Sequence, residues 1–264
     1  MRSNLLMFLT VAATGCTTLG PMPMSTGVSA VPVGRPSMEV SAGAMPGFYL
    51  SDAAQEHLDQ PTHGSPISDT HLMLEPDRLL GTKGLVVGAR SFGDNDKVVE
   101  PMVGYRRKLD QNFSVLGIGY GGKGSGGDKD GTGAYYEATR LGGELTVDFM
   151  VGEPILSFHL FGSISSTYVN AHGRYCVGGD GWGRDCEDDS RRVNAEINGV
   201  YTAANAGVSI DIARRPEGYL HDIRLLAMGS FGVMPRVYDG EQEPSKQNFE
   251  SFGFALQFAV GAEK

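Results

Sequence analysis

From Gly84 onward, apolar and polar residues alternate with a period of two, the repeat of β-strands with one apolar and one polar face. In 141–150, Leu141, Leu145, Val147 and Phe149 share one face, and Arg140, Glu144, Thr146 and Asp148 share the other. In 154–170, Leu156, Phe158, Leu160, Ile164 and Tyr168 oppose Ser157, His159, Ser163, Ser165 and Thr167. Val200, Val208, Ile210 and Ile212 oppose Tyr201, Asn205, Ser209 and Asp211. Ile223, Leu225, Phe231 and Val233 oppose Asp222, Arg224 and Ser230, and Phe252, Phe254, Phe258 and Val260 oppose Ser251, Ala255 and Gln257. Strands are predicted near 84–92, 98–109, 112–120, 134–150, 154–170, 193–213, 218–234 and 249–262. No helical period interrupts them, so consecutive antiparallel hairpins are expected. The fold class is all-β: an antiparallel up-and-down β-barrel of about eight strands over 84–264.

Upstream the pattern weakens. Residues 16–36, with Pro21, Pro23, Pro32 and Pro36 among Thr, Met, Gly and Ser, are expected to form a flexible tether. Residues 37–83 form a segment of uncertain structure, either an extra strand or a periplasmic piece. Within it, Met38 to Leu50 suits one strand, Asp52 to Leu58 suits a short helix capped by Ser51 or Asp52, and Thr70 to Leu80 has no clear period.

The connections differ in length. Asp110-Gln111, Val151 to Pro154 and Arg214 to Glu217 are short, whereas 121–133, 171–192 and 235–248 are long and polar. Gly93 to Lys97 falls on the long side, though it is brief. This asymmetry resembles that of outer-membrane β-barrels, which have short periplasmic turns and long outer loops. An even strand number puts both termini on the short-turn side. The polar faces mix small residues with opposite charges, Arg140, Glu144, Asp148, Asp211, Asp222 and Arg224, which suits a barrel interior filled by side chains. Tyr105, Tyr120, Tyr135, Phe149, Tyr168 and Tyr219 lie near strand ends, where membrane barrels carry aromatic girdles. Alternation alone also fits a lipid-tethered soluble, lipocalin-like ligand-binding barrel with its apolar face inside.

The amino end sets the compartment. Arg2 precedes an apolar run from Leu5 to Ala13, too short to span a bilayer and laid out as a secretory signal. Ala13-Thr14-Gly15-Cys16 resembles the lipobox of bacterial lipoproteins. That resemblance covers only the first sixteen residues and implies removal of a signal peptide, 1–15, and lipidation of Cys16. The remaining cysteines, Cys176 and Cys186, form one pair, which an oxidising compartment would close as a disulfide. Loop entropy assigns such a bridge roughly 3 kcal/mol. Two cysteines without a nearby histidine pair make a poor zinc set.

A net charge of -9 without a Lys/Arg cluster argues against nucleic acid. Gly117 to Gly122 matches G-x-G-x-x-G, but no helix follows to receive a pyrophosphate. Asp128-Lys129-Asp130-Gly131 is a calcium-loop fragment lacking its distal glutamate. The acidic run Asp185, Glu187, Asp188 and Asp189 suits a solvated loop. No cofactor or metal is expected. His159 beside serines raises the alternative of an enzyme acting on lipid A or phospholipid, but no Ser, His and carboxylate set has diagnostic spacing. His159 is expected to be structural, and His172 to be exposed. The leading expectation is a non-enzymatic, lipid-anchored outer-membrane barrel that presents polar surface loops for scaffolding, adhesion or envelope integrity. Its surroundings would be outer-membrane lipid and lipopolysaccharide.

Overall fold

A computed structural model describes residues 25–30, 37–50, 67–76, 83–93, 97–127, 135–153, 156–176, 192–211, 220–235 and 246–261. Alternating sequences become strands because each face meets a different environment. The strands are β1 (Ser37–Leu50), β2 (Ile67–Glu75), β3 (Leu85–Gly93), β4 (Lys97–Lys108) and β5 (Phe113–Gly127), followed by β6 (Tyr135–Glu153), β7 (Leu156–Cys176), β8 (Arg192–Asp211), β9 (Leu220–Pro235) and β10 (Lys246–Gly261). Each pairs antiparallel with its sequence neighbours, and β1 pairs with β10, from Ser37↔Gly261 to Leu50↔Phe249, to close the barrel.

The strand number corrects the expectation of about eight. Ten strands close the barrel, which begins at Ser37 rather than Gly84. The extra pair, β1 and β2, comes from the segment with the weakest alternation. In β1 only Met38 and Val40 supply large outward side chains before Ala42 and Gly43. In β2 the apolar Met73 turns inward beside His71 and Glu75, which blurs the period. The suggested helix at Asp52 to Leu58 lies outside the described residues.

Two prolines mark irregular points in the wall. The β1–β10 register shifts between Ala44 and Gly47, across Pro46. In the β4–β5 ladder the pairs stop at Val99↔Lys123 and resume at Met102↔Tyr120, beside Pro101, which has no N–H to donate. Intervals 51–66, 94–96, 128–134, 177–191 and 236–245 join strands at one end. Intervals 76–84, 109–112, 154–155 and 212–219 lie at the other, where β1 begins and β10 ends.

One short turn shows its chemistry fully. The Asp110 carboxylate accepts hydrogen bonds from the backbone N–H groups of Asn112 and Phe113, both at 2.8 Å. Those two bonds hold its carboxyl below the usual carboxylate range. The Phe113 ring then packs on Phe149 with centroids 4.8 Å apart. At the β3 entry, Gly84 has φ +86°, and its carbonyl accepts from the Arg106 N–H at 2.7 Å.

Candidate functional site

The barrel wall is inside out relative to a soluble protein. Leu145, Phe158, Leu160, Ile164 and Phe254 are 50–65% exposed on the outer face. Val99, Val103, Tyr105, Leu141, Tyr168, Val200, Val208, Leu225, Phe231 and Phe252 are exposed too. The lumen instead holds four arginines (Arg90, Arg106, Arg140, Arg224), two histidines (His71, His159) and six carboxylates (Glu39, Glu75, Glu100, Glu144, Asp148, Asp211), all buried among the described residues. Burying that many charges is tolerable only when they are paired and hydrogen-bonded.

The pairing is organised from neighbouring strands. His159, on β7, places Nδ1 2.7 Å from Asp148 Oδ1 on β6 and Nε2 2.9 Å from Asp211 Oδ2 on β8. Both ring nitrogens therefore face carboxylate oxygens from the two flanking strands. Arg224, on β9, donates through Nε to Asp211 Oδ1 at 2.7 Å and through Nη2 to Asp211 Oδ2 and Asp222 Oδ2, each at 3.3 Å. Ser157 donates to Asp211 Oδ2 at 3.0 Å. Nearby, His71 Nε2 lies 3.1 Å from Glu39 Oε1, while Arg106 lies between Glu39 at 3.9 Å and Glu75 at 3.6 Å. Nearer the 94–96 interval, Arg140 stands 3.4 Å from Glu100 and 4.7 Å over the Phe92 ring, which Arg90 approaches at 5.4 Å.

A second feature fills the lumen. Residues 25–30, part of the expected tether, lie inside it, with Ser25, Thr26, Val28, Ser29 and Ala30 all buried. Ser25 Oγ donates to Glu144 Oε1 at 2.8 Å, and the Thr26 backbone N–H donates to Glu144 Oε2 at 2.6 Å. Arg90 Nη2 donates to the Ser25 carbonyl, and Gln257 Nε2 to the Gly27 carbonyl, both at 2.7 Å. Glu144 also accepts from Ser163, whose hydroxyl accepts from Asn205 Nδ2 at 2.9 Å. Val28 and Ala30 join Met73, Val86, Met102, Leu116, Ile118 and Tyr120 in an apolar cluster. Ten strands enclose more space than side chains alone fill, and the segment occupies it.

The expected interior residues Arg140, Glu144, Asp148, Asp211 and Arg224 are therefore buried, with Asp222 half-buried at the edge of the Arg224 pair. They fall into separate groups rather than one site: Asp148, Asp211, Asp222 and Arg224 meet around His159, Glu144 holds the amino-terminal segment, and Arg140 pairs with Glu100. His172 is exposed on the outer face, 3.4 Å from Glu137. Tyr120 corrects the girdle assignment. It sits inside, its hydroxyl 2.7 Å from Thr167 Oγ1, because β5 continues to Gly127 and leaves Tyr120 mid-strand on the lumenal face. Tyr105 and Tyr168 are exposed on the outer face. The side chain of Tyr135, and Tyr219, lie outside the described residues, as do Cys16, Cys186 and the side chain of Cys176. Asp128 to Gly131 and Asp185 to Asp189 lie outside them too. Gly117 to Gly122 falls within β5, with no helix after it among the described residues.

Sequence reasoning missed Glu39, His71, Glu75, Arg90, Glu100 and Arg106, and the role of Ser25 to Gly27. For β4 a signal existed: Glu100, Met102 and Arg106 alternate with the exposed Val99, Val103 and Tyr105.

A closed antiparallel barrel with apolar side chains outside and paired charges within defines the class: a β-barrel built to sit in lipid. No protein-family model and no curated protein sequence matches the chain. Among solved structures it is similar to the outer membrane protease OmpT from Escherichia coli, at 9% identity and TM-score 0.40, over 89% of this chain and 99% of that one. It is also similar to Neisserial surface protein A (NspA), at 11% identity and TM-score 0.34, over 86% of this chain and 97% of that one. Likeness this distant leaves function to be argued from this chain's own residues.

Proposed function

We propose that this protein is an outer-membrane β-barrel, anchored by lipid at Cys16, whose role is non-enzymatic: a scaffold that holds long polar connections at the cell surface. The observation that carries the reading is the inverted polarity of the wall, with Leu145, Phe158, Leu160 and Phe254 outside and Glu144, His159, Asp211 and Arg224 inside. A tethered soluble barrel needs the opposite arrangement. Closure of all ten strands leaves no unpaired sheet edge to face hydrocarbon. The longer intervals, 51–66 and 177–191, gather at the end opposite the start of β1 and the end of β10, which suits surface presentation with a periplasmic amino end.

The chemistry around His159 supports a structural rather than catalytic histidine. Both ring nitrogens face carboxylates, and Nε2 is nearer Asp211, at 2.9 Å, than Ser157 Oγ, at 3.5 Å. Ser157 gives its proton to Asp211, and the group is buried in the lumen. An enzyme acting on lipid A or phospholipid needs a nucleophile that its substrate can reach.

The test has two arms. Cys16→Ser should abolish metabolic acyl labelling and leave unprocessed precursor; unchanged labelling would remove the anchor from the account. Trypsin added to intact cells should cut at Arg184, in the 177–191 interval. Protection of that site until lysis would overturn surface presentation.

A further inference from the structure

We infer that the barrel lumen is a peptide-binding site whose resident, displaceable occupant is the chain's own segment 25–30. Three observations distinguish an occupant from a piece of the core. The wall closes without the segment, since every strand is already paired on both sides. The segment belongs to no strand, and lumenal side chains hold its main chain: Glu144 takes the Thr26 N–H, Arg90 the Ser25 carbonyl and Gln257 the Gly27 carbonyl. Its own side chains are small, so recognition is of backbone, one hydroxyl and a short apolar end. Ser25 supplies the hydroxyl, and Val28 and Ala30 meet Leu116, Ile118 and Tyr120.

The cradle also selects backbone shape. Gly27 has φ +63°, and a Cβ there would lie 3.3 Å from Leu226 Cδ2. A left-handed residue between two anchored peptide groups therefore favours glycine. The ligand class is a short peptide with a hydroxyl residue, a following N–H donor and then a glycine in a left-handed turn. In the intact chain, tethering keeps the local concentration of segment 25–30 high, in the millimolar range expected for short linkers, so a second peptide competes poorly. Release of the tether would open the lumen to other peptides of this class.

The experiment uses the full chain with residues 31–36 replaced by a protease recognition sequence. The folded protein is cleaved there, and a fluorescent peptide of residues 25–30 is added. Binding should be saturable after cleavage and at least about tenfold weaker before it, because the cis segment then competes. Two altered peptides leave the barrel untouched. Methylating the Thr26 nitrogen removes the donor to Glu144, and Gly27→Ala disfavours the left-handed turn; each should weaken binding about tenfold or more. Heat-modifiable gel migration reports whether the barrel stays folded. Unfolding on cleavage would show that the segment is integral core and overturn the inference. So would failure of the cleaved segment to exchange with labelled peptide over days, or equal binding of all three peptides.

Discussion

At the scale of single residues, the fold depends on neighbours in sequence that face opposite solvents. Glu144 is 5% exposed and Leu145 is 58% exposed. The interior charges were legible because a period of two leaves no other face for Arg140, Glu144, Asp148, Asp211 and Arg224. Their partners were not, because pairing depends on which strands adjoin. Arg224 shows what such pairing is worth. Its guanidinium makes two bonds to Asp211, which also receives His159 and Ser157. Removing one partner of a buried pair leaves the other charged and uncompensated, at a cost of about 3–5 kcal/mol. Arg224→Leu should therefore lower the urea unfolding free energy by about that much, while Lys108→Leu, at an exposed position, should change it by less than about 0.5 kcal/mol. Equal effects would show that the Arg224 pair contributes little.

Among the strands, β5 explains both an error and an omission. Leu116, Ile118 and Tyr120 face the lumen, and Gly117 and Gly119 take the outward positions. An apolar inward face in a lumen otherwise rich in charge requires an apolar partner there, and Val28 and Ala30 supply it. That reversed strand was the one trace of the amino-terminal segment in the alternation. Segment 25–30 left no period of its own, because its hold on the wall runs through main-chain groups. Strand β1 matches the strand expected over Met38 to Leu50, but β2 escaped for a related reason: an inward Met73 dilutes its repeat. The entry to β3 carries its own test. With Gly84 at φ +86°, an added Cβ would lie 2.1 Å from the Arg106 carbonyl oxygen. Gly84→Ala should destabilise the barrel by about 1–3 kcal/mol, the usual range for strained backbone, read as a lower unfolding midpoint. An unchanged midpoint would mean that this turn relaxes freely.

For the whole molecule, raising the strand number from eight to ten alters the lumen but not the topology. Both counts are even, so the first strand begins and the last strand ends on the side of the shorter turns. The wider lumen needs filling, and segment 25–30 together with the ion-pair groups fills it. Polarity of the wall remains the central claim, and two adjacent strand positions test it directly. Single cysteines replace Leu145 or Thr146, which is buried, in a chain with Cys16, Cys176 and Cys186 changed to Ser. The folded barrel is placed in lipid vesicles and exposed to a thiol probe confined to the hydrocarbon. The account predicts rapid labelling at position 145 and none at 146. Labelling at 146 but not 145, or at neither position in a folded barrel, would contradict it.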